Sequence, residues 1–232
     1  MTKKNFFIIS LVFSIACAPK APPSVEVSVE AEQTAPSVDE VLDRYIEVTG
    51  GVDAYTAHNN TRVTGHIEIA AQGLRGNVLV YNEAPNRRHM VMTIPGIGDI
   101  VRVYNGEHGW EINPMLGPRL LTDDEMAVEI IDSTFNAPLH LTTLYPDREM
   151  LGASTFNDVN CWSLRFTTSN GNARTVYYDQ ETGLMLGMDT TVPTDMGDMP
   201  VEARLEDYQE TGGVLQSMRG VQVMGPMEIV MQ

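Results

Sequence analysis

Cys161-Trp162-Ser163-Leu164-Arg165-Phe166-Thr167-Thr168 alternates strictly in character. Trp162, Leu164 and Phe166 project to one side, and Ser163, Arg165 and Thr167 to the other. A strand with one dry and one wet face belongs to an antiparallel sheet covered on one side. The same period of two recurs in Val201, Ala203 and Leu205 against Glu202, Arg204 and Glu206. It recurs again in Val63, Gly65, Ile67 and Ile69 against Thr64, His66 and Glu68.

Outward from these runs, turn residues cut the chain into strands. Before residue 122 the expected strands are Val63–Ile69, Asn77–Glu83, Arg87–Ile94, Ile100–Tyr104 and His108–Asn113. Asn105-Gly106 predicts a tight type I′ hairpin, which needs positive φ at both central positions. After residue 146 they are Arg148–Phe156, Cys161–Thr168, Ala173–Asp179, Leu184–Val192, Val201–Glu210 and Val214–Val223, with a last fragment at Met227–Met231.

Two helices interrupt this pattern. Ser37-Val38-Asp39-Glu40 is a capping box, followed by Val38, Val41, Leu42, Tyr45 and Ile46 at helical spacing and stopped by Gly50-Gly51. Thr122-x-x-Glu125 is a second box, opening a helix with Met126, Ala127, Ile130 and Ile131 as its apolar positions. Asp123, Asp124 and Glu125 then serve the helix dipole rather than a metal. Residues 133–146 read as irregular or a short helix. Nearly a dozen hairpin-linked strands with two amphipathic helices predict a mainly β fold, a curved sheet or open barrel with the helices in its mouth or on its concave face.

The N-terminus reads as an address. Lys3 and Lys4 precede an apolar run from Phe6 to Ala16, too short to span a bilayer. Ala16-Cys17-Ala18 fits an ordinary signal-peptidase site. Ser14-Ile15-Ala16-Cys17 resembles a bacterial lipobox, in which Cys17 is lipidated and becomes the first mature residue. The expected organisation is a signal peptide over 1–16, a lipidated Cys17 with a Pro/Glu-rich tether over 17–36, and one domain over 37–232. Ala18, with no aspartate to retain the protein at the inner membrane, points to the outer membrane.

Composition narrows the function classes. The 232 residues carry 15 Lys+Arg against 31 Asp+Glu, a formal charge of −16. Nucleic-acid binding needs a basic face and is not expected. Loss of Lys3 and Lys4 with the leader makes the mature chain still more acidic, which also argues against an electrostatic grip on anionic membrane. Cys161, beside Trp162 in a strand, reads as a small buried hydrophobe. His66 with Glu68, and Glu107 with His108, match no metal-ligand spacing. No nucleophile elbow, P-loop or dinucleotide fingerprint occurs, so no catalytic residue, metal or cofactor is assigned. The positive signal is 14 methionines, with phenylalanine scarce beyond the leader (Phe135, Phe156, Phe166). Met90 and Met92 share a face with Ile94. Met185 and Met188 fall on opposite faces by simple alternation, and Met196 and Met199 lie in the loop before Val201. Methionine is flexible and polarizable, suited to irregular apolar ligands and to core filling alike.

The order of motifs resembles a known family. Val80–Met90 reads V-Y-N-E-A-P-N-R-R-H-M, and Tyr104–Pro114 reads Y-N-G-E-H-G-W-E-I-N-P. Both are similar to segments of the LolA/LolB-like periplasmic lipoprotein carriers. Tyr45–Gly51 and Tyr178–Leu184 look like their outer-membrane lipoprotein-sorting relatives. The resemblance implies an unclosed antiparallel β-barrel, here a curved sheet of about 11 strands, with α-helices as a lid over a hydrophobic cavity for acyl chains. Met90, Met92, Ile94 and Trp110 are the expected cavity residues. The expected partners are the membrane, through the N-terminal anchor, and the acyl chains of lipids or lipoproteins, with the protein a monomer. One departure stands out: where the soluble carrier has an arginine implicated in lid gating, before Pro85-Asn86, this chain has Ala84. A tethered acceptor, or a lipid-binding relative with another task, fits that better. The alternative is a structural or sensory envelope lipoprotein using the same fold without a transported ligand.

Overall fold

A computed structural model describes residues 35–194 and 197–232, and the side chains of 192–198 are not discussed. The expected signal peptide, Cys17, most of the tether and Met196 lie outside the described residues.

In chain order the elements are α1 (Val38–Val48), α2 (Gly51–Thr56), β1 (Asn60–Ile69), β2 (Leu74–Glu83), β3 (Arg87–Ile94), β4 (Gly98–Tyr104), β5 (Gly109–Asn113) and β6 (Gly117–Leu120). There follow α3 (Asp123–Ser133), a 3-10 turn (Ala137–His140), α4 (Leu141–Leu144), β7 (Asp147–Phe156), β8 (Val159–Thr167), β9 (Ala173–Asp179), β10 (Met185–Thr194), β11 (Gly197–Thr211), β12 (Val214–Met224) and β13 (Met227–Met231). The strands form one antiparallel sheet in the order β6-β5-β4-β3-β2-β1-β13-β12-β11-β10-β9-β8-β7. Each neighbouring pair is consecutive in sequence except β1 with β13, where Ile67 faces Met231 and Ile69 faces Ile229. Two meanders are thus welded at their first and last strands, and β6 and β7 remain as free edges. The sheet is mainly β, open rather than closed, as expected. Among the described residues it has thirteen strands instead of about eleven, because the four-residue β6 is too short to show a periodicity and Met227–Met231 is a full member.

Both capping boxes form. Ser37 Oγ accepts from the Glu40 N–H while Glu40 accepts from the Ser37 N–H at 2.7 Å, and Thr122 and Glu125 repeat the exchange. Gly50 ends α1 at φ 127°, but the chain then makes a second short helix that the paired glycines concealed. A Cβ at Gly50 would stand 2.3 Å from the Gly213 carbonyl oxygen, so glycine here serves a close approach to the β11–β12 turn as well as a helix stop.

Residues paired across neighbouring strands share a face. Leu164, Phe166, Val176 and Tyr178 of β8 and β9 meet Val41 and Leu42 of α1, together with Tyr145, in one buried cluster. This inner face of the C-terminal meander is filled by the protein's own side chains. Met185 and Met188 both pack on that cluster. The register shift between Met185 and Gly187 puts Met185 opposite Tyr178 and Met188 opposite Val176, so a bulge overrides the alternation that separated them. On the opposite face Cys161 is fully buried, with Ser154 Oγ 3.2 Å from its sulfur. Burial raises its thiol pKa, which makes it an inert packing residue as expected.

The Asn105-Gly106 turn departs from expectation. The strands close with Tyr104 opposite Gly109, leaving a four-residue loop. Only Gly106 has positive φ, 101°. Asn105 instead accepts through Oδ1 from the Glu107 and His108 N–H groups at 2.9 and 2.8 Å. An Asx turn replaces the type I′ turn because the asparagine side chain stands in for a backbone acceptor.

Candidate functional site

The inner face of the N-terminal meander is set by β3. Arg88, Met90, Met92 and Ile94 alternate onto the side facing α3, since Arg88 reaches Glu129 of that helix. Met90 pairs with Val80 and Met92 with Val78 on β2, extending an apolar floor. Met90 and Met92 are half-buried. Ile94 is packed at 5% exposure. A Cβ at Gly76 would lie 3.0 Å from Ile94 and 3.3 Å from Ile67, so the glycine opens the space that both isoleucines fill. Ile94 therefore belongs to the floor itself rather than to an open surface above it.

Trp110 is not beside these residues. It pairs with Val103 and Leu120, and Val103 pairs with His89, whereas Met90 pairs with Arg102 and Arg102 with Glu111. Trp110 lies on the outer face, in a row with Arg62, Tyr81, His89, Val103 and Leu120. Arg62 stacks over Tyr81 at 6.0 Å. The expected placement fails on parity: with period two, a residue that pairs with 103 cannot share a face with one that pairs with 102. Counting register through the two hairpins would have revealed this.

Beside the apolar floor, the inner face carries charge that no sequence motif signalled. Arg102 donates to Glu111 at 2.7 Å, and Arg119 donates to both oxygens of Glu125 at 2.7 Å and to Glu111 at 3.2 Å. Arg88 donates to Glu129, and Asp132 stands 3.8 Å from it. Three arginines of β3, β4 and β6 thereby hold α3 against the sheet. The buried face of α3 is Glu129 at 1% and Ser133 at 1% exposure, while Ile130 is 41% exposed. This corrects the expected apolar stripe through Ile130: the inner face offers guanidinium groups there, and buried guanidinium groups need carboxylates. Burial raises the Glu111 pKa, but hydrogen bonding and attraction from Arg102 and attraction from Arg119 outweigh it and hold the carboxyl low. The Arg119 hydrogen bonds bring Glu125 down to about 2. Glu125, expected as a cap, is both cap and ion-pair partner.

Beyond the Asn82 end of the floor, a cavity of about 290 Å³ lies between a roof of α1, α2 and the end of α3 with the segment after it, and strands β1, β2, β11 and β12. Tyr45, Tyr55, Tyr208 and Phe135 give it aromatic walls, and Asn82 and Asp132 give it polar ones. The roof is stitched in place. Phe135 donates its N–H to the Pro85 carbonyl at 2.9 Å, Asn136 Nδ2 donates to the Tyr55 carbonyl at 2.6 Å, and Leu215 donates its N–H to the Thr49 carbonyl at 2.9 Å. Asn82 lies on the same face of β2 as Val80 and Val78, so the inner face runs from this cavity down to Met90 and Met92. His66 and Glu68 take sheet partners instead, Asn77 at 2.9 Å and Arg75 at 2.7 Å. Among the described residues no helix is long and apolar enough to cross a membrane.

No protein-family model matches the chain, and no curated protein matches it. Solved structures do. A LolA superfamily protein from Nitrosomonas europaea superposes with a TM-score of 0.57 at 15% identity, over 85% of this chain and 91% of that one. A putative outer membrane lipoprotein-sorting protein domain from Vibrio parahaemolyticus gives 0.55 at 10% identity, over 84% and 91%. A DUF1329 family protein from Desulfovibrio piger gives 0.54 at 12% identity, over 86% and 91%. The open sheet with its helical roof is the LolA-like fold.

Proposed function

We propose, with the LolA-like fold as premise, that this chain is a membrane-anchored envelope lipoprotein that binds lipid or lipoprotein acyl chains on its inner face. The observation that carries the reading is the half-buried apolar floor of Val78, Val80, Met90 and Met92 continuing from a roofed cavity of about 290 Å³. Cys17 carries the anchor, residues 17–36 form the tether, and the outer membrane is the site of attachment. The similarity to a putative lipoprotein-sorting domain supports outer-membrane lipoprotein sorting as the process. The protein is a binding module rather than a catalyst. Each CH₂ buried contributes about 0.8 kcal/mol, so half a fatty chain supplies several kcal/mol before ordering entropy is subtracted. Ile94 supports the floor, and Trp110, on the outer face, has no part in the site.

A fluorescent fatty-acid probe tests this. The wild-type protein should bind it, Met92→Glu should abolish binding by placing a charge on the floor, and Trp110→Ala should bind normally, with circular dichroism as the folding control. A folded wild type that binds no probe would favour the structural or sensory lipoprotein, to which the filled inner face of the C-terminal meander already lends support.

A further inference from the structure

The chemistry of the roofed cavity is asymmetric. Its polar lining is made of hydroxyls, the amides of Asn82, Asn136 and Gln216, His58 and one carboxylate, Asp132, and no lysine or arginine lines it among the described residues. Asn82 Oδ1 is buried without a hydrogen-bond partner, although its Nδ2 donates to Thr61 at 3.3 Å. An unpaired buried acceptor is costly unless something donates to it.

Asp132 adds a carboxylate that accepts no hydrogen bond among the described residues. Its side chain is 48% accessible. Burial nevertheless raises its pKa, against attraction from Arg88, Arg174 and Arg102. Asp132 lines the cavity. Arg88 is the nearest cation at 3.8 Å, but its Nη1 hydrogen bonds go to Glu129 and it does not line the cavity. Tyr45, Tyr55 and Tyr208 present ring faces or edges nearby, and burial keeps their phenols neutral by raising each pKa.

Aromatic walls and a carboxylate that accepts no hydrogen bond are together the chemistry that binds a protonated amine. We infer that the cavity takes the ammonium head of an amine-bearing amphiphile whose chain runs down the floor past Met90 and Met92. The inference rests on the acyl-chain reading above and names the class of head group.

Three amphiphiles of equal chain length separate the possibilities: dodecylamine, dodecyltrimethylammonium and dodecanoate. Each is titrated calorimetrically, below its micelle concentration, into the purified full chain. Salt at about 0.3 M screens the protein's general negative charge. Dodecylamine should bind about tenfold more tightly than dodecanoate, a difference of about 1.4 kcal/mol. Asp132→Asn should erase that preference while leaving dodecanoate binding unchanged or stronger. Glu149→Gln, which removes the same charge from the exposed strand β7, should keep it. Dodecyltrimethylammonium, which keeps the positive charge without an N–H, should share the preference over dodecanoate and lose it in Asp132→Asn. Dodecanoate binding as tightly as the amine, or a preference that survives Asp132→Asn, overturns the inference while the acyl-chain reading stands. If no amphiphile binds the folded protein, both fall together.

Discussion

Arg88 Nη1 donates to both carboxylate oxygens of Glu129, at 3.2 and 3.4 Å, across the space between β3 and α3. Glu129 is 1% exposed and the Arg88 side chain 15%. Arg102 stands a further 4.0 Å from the same carboxylate. A roof helix is therefore held to the sheet by charge at the point where its neighbours are held by apolar packing.

Removing one partner should be severe and removing both mild. Glu129→Ala takes from the half-buried Arg88 its hydrogen-bonded carboxylate, leaving only Asp132 at 3.8 Å, and should cost about 3–5 kcal/mol in urea unfolding. The double substitution Arg88→Met with Glu129→Leu should recover most of that loss, because an apolar pair needs no desolvation of charge. A single substitution costing under about 1 kcal/mol would show that α3 is held by something else.

The Arg119–Glu125 pair gives a pH signature. Arg119 holds the Glu125 carboxyl at about 2, below the unfolded value of 4.5. A depressed folded pKa means that the pair's contribution is fully present above pH 4.5 and lost as the pH falls towards 2. The melting temperature of the wild type should exceed that of Arg119→Met at neutral pH, and the gap should close over that acid window. Asp132, whose pKa is raised, acts with the opposite sign in both proteins and cancels in the comparison. A gap that stays constant down to pH 2 contradicts the assignment.

Gly50 and Gly51 are adjacent, both at positive φ, and should respond differently. Alanine at Gly51 meets nothing within 4 Å and should cost about 1–2 kcal/mol of left-handed strain. Alanine at Gly50 adds a 2.3 Å collision with a backbone oxygen, which cannot rotate away, and should cost at least about 3 kcal/mol. Thermal unfolding of the two variants reads the difference. Equal losses would mean that the β11–β12 turn yields freely.

Cys17→Ser tests the anchor. The substituted protein should accumulate as an uncleaved precursor or move to the soluble periplasmic fraction, with its mature mass lacking lipid. Unchanged fractionation and mass would exclude lipidation at this position.

The periodicity of Trp162, Leu164 and Phe166 and the turns between strands are local properties, legible because pleating and turn formation depend on neighbours a few residues away. So are the capping boxes at Ser37 and Thr122, where side chain and backbone are three residues apart. That is why β3 and β9 begin and end where the residues say, and why Met90 and Met92 share a face. Register was harder to read. The bulge at Met185 and the parity that sends Trp110 outward follow from pairings summed over several hairpins. The closure of β1 on β13 joins residues that nothing local connects. Arg88, Arg102 and Arg119 look like ordinary surface arginines in the sequence, and Glu129 like a helix residue free to face water. Only the crossing of α3 over β3, β4 and β6 places them within hydrogen-bond reach. Likewise, the cavity that gathers Asn82, Asp132 and Tyr208 from three distant segments exists only once the roof lies on the sheet. Local structure is decided by short-range sterics and hydrogen bonds written into the chain, whereas the site is made by long-range packing that brings separate strands and helices together.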